Sequence, residues 1–234
     1  MPDAEGPAAA SPRDGFAAQL RGFGPTGVVA LLAILLSGTP SVGRVAVPLG
    51  ALLVLAWARR SGTPWNEIGY VPPKSWIASI AIGLAVGVPF KFLMKAVVMP
   101  LLGANPINRT YHYLAGNRAI LPAAVWAMLV AGFGEETVFR GYLFERLGKL
   151  IAARPGAKAA ILLLTSGLFA LAHYPDQGLA GAEQAMCTGL VFGTIFIVTG
   201  QIWIPMIAHA AYDLTALAMI YGNVESAVAH WVFK

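Results

Sequence analysis

The chain has 234 residues, of which 57% are hydrophobic and only 12% are charged. A soluble domain carries about 25% charged residues. The composition therefore excludes a disordered protein, a coiled coil and an ordinary soluble enzyme, and it predicts a membrane protein. The net charge of +5 comes with no basic cluster or nucleic-acid motif. We therefore expect basic loops facing the cytoplasm and no nucleic-acid partner.

Apolar segments separated by Gly, Pro and charged residues predict an all-α fold, a polytopic transmembrane bundle of about seven spans, with a range of six to eight. In chain order the segments cover residues 24–36, 45–58, 76–102, 119–147, 159–174, 182–199 and 205–221. We divide the chain into a flexible tail (1–22), N-terminal transmembrane helices (23–102), a helical core (103–222) and a C-terminal tail (223–234).

The loop charges predict an orientation. An N-terminus inside the cell puts nine Lys and Arg residues on the cytoplasmic side and four outside, as the positive-inside rule favours. We expect a multi-pass protein of the bacterial plasma (inner) membrane with a cytoplasmic N-terminus. The inner set is Arg13, Arg21, Arg59, Arg60, Lys74, Arg146, Lys149, Arg154 and Lys158, and the outer set is Arg44, Arg109, Arg118 and Lys234.

Two carboxylates stand in the fourth apolar segment, where each costs about 2.5–3.5 kcal/mol to insert. Arg140 follows Glu136 by four residues and can pair with it on one helical face. Glu135 points about 100° away and has no local partner. Because an unpaired buried carboxylate takes up a proton, binds a cation or faces water, Glu135 indicates a functional site. A structural Glu–Arg clip would explain Glu136 and Arg140 but not Glu135.

Two later segments carry histidines at helical spacing from a partner. Phe169 and His173 share a face, and so do His209 and Asp213. Two imidazoles and one carboxylate can hold Zn²⁺ with a position left for water, which gives Glu135, His173 and His209 as candidate metal ligands. Alternatively, Glu135 and a histidine can polarise water directly. Both alternatives give a hydrolase without a covalent nucleophile.

The three motifs Glu135-Glu136-x-x-x-Arg140, Phe169-x-x-x-His173 and His209-x-x-x-Asp213 follow one another over residues 115–222. This set resembles the CPBP family, the CAAX-prenyl-protease and bacteriocin-processing (Abi) intramembrane proteases. The resemblance implies a glutamate- or metal-dependent endopeptidase whose catalytic core is the helical region 103–222.

By the same resemblance Glu135 activates the attacking water together with His173. His209 and its partner form the side that stabilises the oxyanion or binds a metal. Arg140 holds Glu136, and Phe169 belongs to the second motif. Asp213 stands where the prenyl-protease branch often has Asn, so it would serve as a cation ligand or orient His209.

Lys91 and Lys95 share a face of the third span, after Pro89. They either extend to the membrane interface or form a basic cavity wall that receives a substrate carboxylate.

We therefore expect an intramembrane protease acting on a membrane peptide or protein, with or without a lipid group. The alternative is a non-catalytic immunity or scaffold protein, or an ion or proton transporter, that uses the same polar cavity.

Overall fold

The computed structural model describes residues 12–37, 45–151 and 154–233. Residues 1–11 of the predicted tail, and Arg44 and Lys234 of the predicted outer loops, lie outside them. Within the described residues the fold is all-helical, as predicted. The second half of the predicted tail forms a helix, α1 (Pro12–Arg21). It joins α2 (Pro25–Ser37) at a bend of 58°.

The N-terminal part of the chain continues with three further helices, α3 to α5. α3 (Ala46–Ser61) ends at Gly62, whose φ of 65° closes the last turn with a bond to the Ala58 carbonyl. A 3₁₀ turn (Trp65–Ile68) follows. α4 (Trp76–Leu93) is capped at its N-terminus by Ser75, whose side chain accepts a hydrogen bond from the Ala78 N–H. It continues through a π turn (Met94–Val98) into α5 (Met99–Leu101).

The three sequence motifs lie on the helices of the C-terminal part. α6 (Leu121–Glu136) runs through a π turn (Thr137–Leu143) into α7 (Phe144–Ile151). After these come α8 (Ala157–Thr199), α9 (Trp203–Tyr221) and the short α10 (Glu225–Ala229). α10 lies in the region that we assigned to the C-terminal tail.

α8 consists of two arms that fold back on each other. Gly178 breaks the 43-residue element with φ 64° and ψ −162°, a conformation that is essentially restricted to Gly. Gly189 lies against Ser166, and Gly193 lies against Leu162. Ser166 and Gly189 would be about 35 Å apart in a straight helix. The arms therefore run antiparallel on either side of Gly178.

α9 is the centre of the bundle. In the most apolar stretch of α9, 61% of the residues are buried, against 28% for Trp76–Leu101 and 33% for α8. Gly83 and Gly87 of α4 lie against Ile207 and Ala208, and Gly132 of α6 lies against Ala210. The glycines let the helix backbones approach closely, as the Gly83-x-x-x-Gly87 spacing predicts.

The number of spans differs from the sequence expectation. Within the described residues three helices are long and apolar enough to cross a membrane, Trp76–Leu101, α8 and α9, and the bent pair α1–α2 would make four. The count of about seven is therefore not confirmed. α3 has 16 residues, fewer than the roughly 20 that cross a bilayer. α8 holds the fifth and sixth predicted segments in one element.

The outer surface suits lipid. Ile77 and Val198 are 82% and 78% exposed, and many other large apolar side chains are exposed with them. A surface this apolar is found on proteins embedded in a membrane.

Candidate active site

Glu135 and Glu136 end α6 and point in different directions. The Glu136 side chain is fully buried, whereas that of Glu135 keeps 18% of its surface exposed. Glu135 lines a cavity of about 120 Å³, and Glu136 is absent from the lining. Adjacent carboxylates therefore have separate environments.

Glu136 is held from two sides by charged or polar donors. Its Oε1 accepts hydrogen bonds of 2.8 Å from Arg140 Nη1 and of 2.8 Å from His209 Nδ1. Arg140 Nη2 also donates to the Gly189 carbonyl at 3.2 Å. This buried pair therefore links the π turn, the second arm of α8 and α9. The pairing of Glu136 with Arg140 that we predicted from their spacing is present.

The π turn that follows Glu136 carries Arg140. At its start the Thr137 hydroxyl donates to the Phe133 carbonyl at 2.8 Å. π turns inside α-helices occur frequently at functional sites, because they change the direction of side chains locally. Here the turn preserves the contact between residues 136 and 140 while α7 continues beyond it.

Glu135 lies between two imidazoles. Its Oε2 is 4.0 Å from His173 Nε2 and 3.8 Å from His209 Nε2. Both separations exceed a direct hydrogen bond, and groups this far apart in a polar cavity are commonly bridged by water. The geometry thus leaves a place for water next to one carboxylate and two ring nitrogens.

Each imidazole is oriented by a bond at its other nitrogen. His173 Nδ1 lies 2.9 Å from the Phe169 carbonyl, which can only accept, so Nδ1 carries the hydrogen. His209 Nδ1 donates to Glu136 in the same way. Both Nε2 atoms therefore face Glu135, and that of His209 also lies 3.6 Å from Asp213 Oδ2. Asp213 faces the opposite ring nitrogen from the one that Glu136 holds.

Phe169 is the packing centre of this cluster and is only 1% exposed. Its ring lies 4.4 Å from that of His173 and 5.9 Å from that of His209. The Arg140 guanidinium lies 4.8 Å from the centre of the same ring. The structure therefore brings together all seven residues of the three motifs.

Lys91 and Lys95 are buried in a second cavity of about 190 Å³ that adjoins the first. Lys95 Nζ is paired with Glu225 Oε1 at 3.0 Å. Lys91 Nζ donates to Gln184 Oε1 at 3.0 Å and lies 4.6 Å from the centre of the Tyr212 ring. Within the described residues Lys91 has no ion pair with a carboxylate, and it lines both cavities.

Several polar residues of the two cavities were not predicted from the sequence, and four of them are Tyr111, Gln177, Gln184 and Glu225. Tyr111 and Gln177 line the first, and Gln177 Nε2 donates to the Tyr111 hydroxyl at 3.2 Å. Gln184 lines both cavities, and Glu225 lines the second. Gln184 is a polar residue within an apolar segment, a signal that could have indicated it. The others stand in loops or at an end of a helix, where polar residues are common.

Zinc does not fit the predicted ligand set as it stands. Among the described residues no group of three or more His, Cys, Asp or Glu side chains is arranged to hold a metal ion. Tetrahedral zinc ligands at about 2.1 Å from the metal lie about 3.4 Å from each other. The measured separations between Glu135 and the imidazoles are 4.0 and 3.8 Å.

Residues 117–215 match the family model described as type II CAAX prenyl endopeptidase, Rce1-like. This match confirms the resemblance to the CAAX prenyl protease family that the three motifs predicted. The family implies a protease, and together with the apolar helices it indicates an integral membrane protein. No curated protein matches the sequence, and no solved structure matches it either.

Proposed function

We propose that the protein is an intramembrane endopeptidase that hydrolyses a peptide bond in or near the membrane, with water activated by Glu135 and His173. The observation that carries this proposal is the position of Glu135 Oε2, 4.0 and 3.8 Å from two oriented Nε2 atoms at the wall of a cavity. A carboxylate and an imidazole on one water form a general-base pair.

In the proposed reaction His173 Nε2 accepts one hydrogen bond from the water, while Glu135 takes a proton from it. The water oxygen bonds to the carbonyl carbon, and the electron pair of the C=O bond moves onto the carbonyl oxygen. When that oxyanion collapses, the C–N bond breaks and the leaving nitrogen takes the proton from Glu135. No covalent bond to the protein forms.

The other motif residues position these groups. Glu136 keeps His209 oriented through Nδ1, and Arg140 neutralises Glu136. His209 and Asp213 form the side of the cavity where we propose that the oxyanion is stabilised. Asp213 Oδ2 lies 3.6 Å from His209 Nε2, beyond a direct hydrogen bond, so we propose that both groups face the same water or ligand.

The substrate that we propose is a membrane peptide or protein segment, with or without a lipid group. The two adjoining cavities are lined by both polar and apolar side chains, so a peptide backbone and an attached apolar chain would both find a suitable environment. Lys91 offers a cation for a substrate carboxylate, whereas the charge of Lys95 is already balanced by Glu225.

The test uses purified protein in detergent and a library of internally quenched peptides, half of them with a farnesylated cysteine. We expect the wild type to cleave members of the library, and Glu135→Gln and His173→Ala to lower kcat by about 100-fold or more. Glu183→Gln is the matched control, because Glu183 lies on α8 outside the cavity lining. Full cleavage by Glu135→Gln would overturn the proposal.

The same preparation tests zinc and the alternative function. Metal analysis with and without chelator is expected to show less than one zinc per chain and unchanged cleavage, since the ligand separations are too wide. Stoichiometric zinc whose removal stops cleavage would place a metal in the mechanism. A wild type that cleaves nothing but binds cations through Glu135 would instead support the ion-binding or transport protein.

A further inference from the structure

The proposed reaction places negative charge on the carbonyl oxygen, and an active site needs hydrogen-bond donors for it. Glu135 and Asp213 are carboxylates, which accept when ionised. The Nδ1 hydrogens of His173 and His209 already bond to the Phe169 carbonyl and to Glu136. The Thr188 hydroxyl in the cavity wall donates to the Ala185 carbonyl. None of these side chains therefore offers a neutral, unoccupied hydrogen-bond donor to the carbonyl oxygen of the substrate.

Tyr111 offers such a donor. It stands in the loop before α6 and lines the cavity together with Glu135 and Asp213. Its hydroxyl oxygen accepts a 3.2 Å bond from Gln177 Nε2, and within the described residues its hydrogen has no acceptor. Its ring packs against the apolar cluster of Leu114 and Leu217. The phenol is therefore fixed by its ring and aligned at its oxygen, with the hydrogen left for a ligand.

We propose that the Tyr111 hydroxyl donates a hydrogen bond to the oxyanion of the reacting peptide, and that Gln177 is the positioning residue that aims it. This inference rests on the proposed function. Gln177 lies one residue before the break at Gly178, so the fold of α8 brings this amide to the loop that carries Tyr111. A donated bond to the phenol oxygen also polarises its O–H group, which strengthens the bond that it makes in turn.

The Tyr111 phenol is protonated at physiological pH. Burial, and then the carboxylates of Asp213 and Glu135, raise the pKa of Tyr111 to about 12. A neutral phenol beside two carboxylates can donate a hydrogen bond but does not act as a base at physiological pH.

The first test replaces Tyr111 by Phe, which keeps the ring and removes the hydroxyl. We expect kcat to fall by about 100-fold or more with KM nearly unchanged, because the bond exists only in the transition state. Tyr113→Phe is the control, since Tyr113 stands in the same loop but is 64% exposed. The peptide used is the library member that the wild type cleaves fastest. Unchanged kcat in Tyr111→Phe would overturn the inference.

The second test distinguishes a positioning role of Gln177, through its bond to the Tyr111 hydroxyl, from a purely structural role. Gln177→Met keeps the length of the side chain and removes the amide, so we expect about a tenfold fall in kcat. In the double variant with Tyr111→Phe we expect no further fall, because Gln177 acts through the hydroxyl. Additive losses would contradict the positioning role. If Glu135→Gln also retains full activity, the proposed function fails; if only the Tyr111 variants do, the oxyanion assignment fails alone.

Discussion

Among the single residues, Glu136 shows how one buried carboxylate can hold two side chains, Arg140 and His209, in place. Its Oε1 receives hydrogen bonds from Arg140 and His209, and its Oε2 has no partner within the described residues. Removing one member of a buried ion pair leaves the other charge uncompensated, which costs about 3–5 kcal/mol. Arg140 therefore stabilises the orientation of His209 without lining the cavity.

Arg140→Met is expected to lower the free energy of unfolding by about 3–5 kcal/mol, measured by denaturant or thermal unfolding in detergent. The double variant Glu136→Gln with Arg140→Met should lose less, because it leaves no lone buried charge. Arg59→Met is the control, since Arg59 is exposed at the end of α3. A double variant less stable than Arg140→Met would contradict this account.

Lys91 is expected to recognise a carboxylate. With peptides that differ only in a free or amidated C-terminus, Lys91→Met should raise KM about 10-fold or more for the free acid and leave KM unchanged for the amide. The control Lys158→Met removes an exposed lysine at the start of α8. Equal effects of Lys91→Met on both peptides would show that the lysine only supports the fold.

Contacts between residues four apart could be predicted from the sequence, because helical periodicity alone sets them. Glu136 meets Arg140, and His209 approaches Asp213 at 3.6 Å. The bond from His209 to Glu136 joins residues 73 apart, and Lys95 meets Glu225 across 130 residues. Such contacts depend on how the helices pack. Periodicity carries no information about that packing.

At the scale of helices, small residues determine how the elements approach. Gly132 of α6 lies against the backbone of Ala210 on α9, one residue after His209. A Cβ at this position would lie 2.6 Å from the Ala210 nitrogen, so the helices would have to move apart. The separation of α6 and α9 in turn sets the distance from Glu135 to His209.

Gly132→Ala is expected to destabilise the protein by about 1–3 kcal/mol and to lower kcat, because overpacking displaces one helix from the other. Gly148→Ala is the control: a Cβ there meets nothing within 4 Å, so α7 should be unchanged or slightly more stable. Unfolding and cleavage are measured on the same preparations. A Gly132→Ala variant as stable as Gly148→Ala would contradict the close packing.

The break in α8 lies at Gly178, between the two apolar segments 159–174 and 182–199 that the sequence predicted as separate helices. Gly178 and Gly200 both have positive φ and open space at the Cβ position, but only Gly178 combines it with a ψ of −162°. Gly178→Ala should therefore destabilise the protein more than Gly200→Ala, within the roughly 1–3 kcal/mol that such backbone strain costs, and it should lower kcat. Equal losses of stability would contradict the strain argument.

In the molecule as a whole, charged side chains meet at the end of the bundle that carries Glu67. Arg21 lies 3.5 Å and Lys149 lies 2.9 Å from the Glu67 carboxylate, and Arg146 donates to the Arg21 carbonyl at 2.8 Å. All of these basic residues belong to the predicted cytoplasmic set. The loop with Tyr111 contacts the turn at Gln177 instead.

With a cytoplasmic N-terminus we expect the loop that carries Tyr111 to face the outside of the cell. In a background where Cys187 is replaced by Ala, Tyr113→Cys in intact cells should react with a membrane-impermeant maleimide. Arg60→Cys, exposed at the basic end, should react only after the cells are opened. The reverse labelling pattern would invert the proposed orientation.

The long-range bonds of Glu136 also have a consequence for biosynthesis. A ribosome adds about 5–20 residues per second. His209, 73 residues after Glu136, therefore follows it roughly 4–15 s later. During that interval Arg140, four residues after Glu136, is the one of its two hydrogen-bond partners that has already been synthesised. Nascent chains that end before α9 therefore hold the two carboxylates but no histidine beside Glu136, and translation must reach α9 before the enzyme can act.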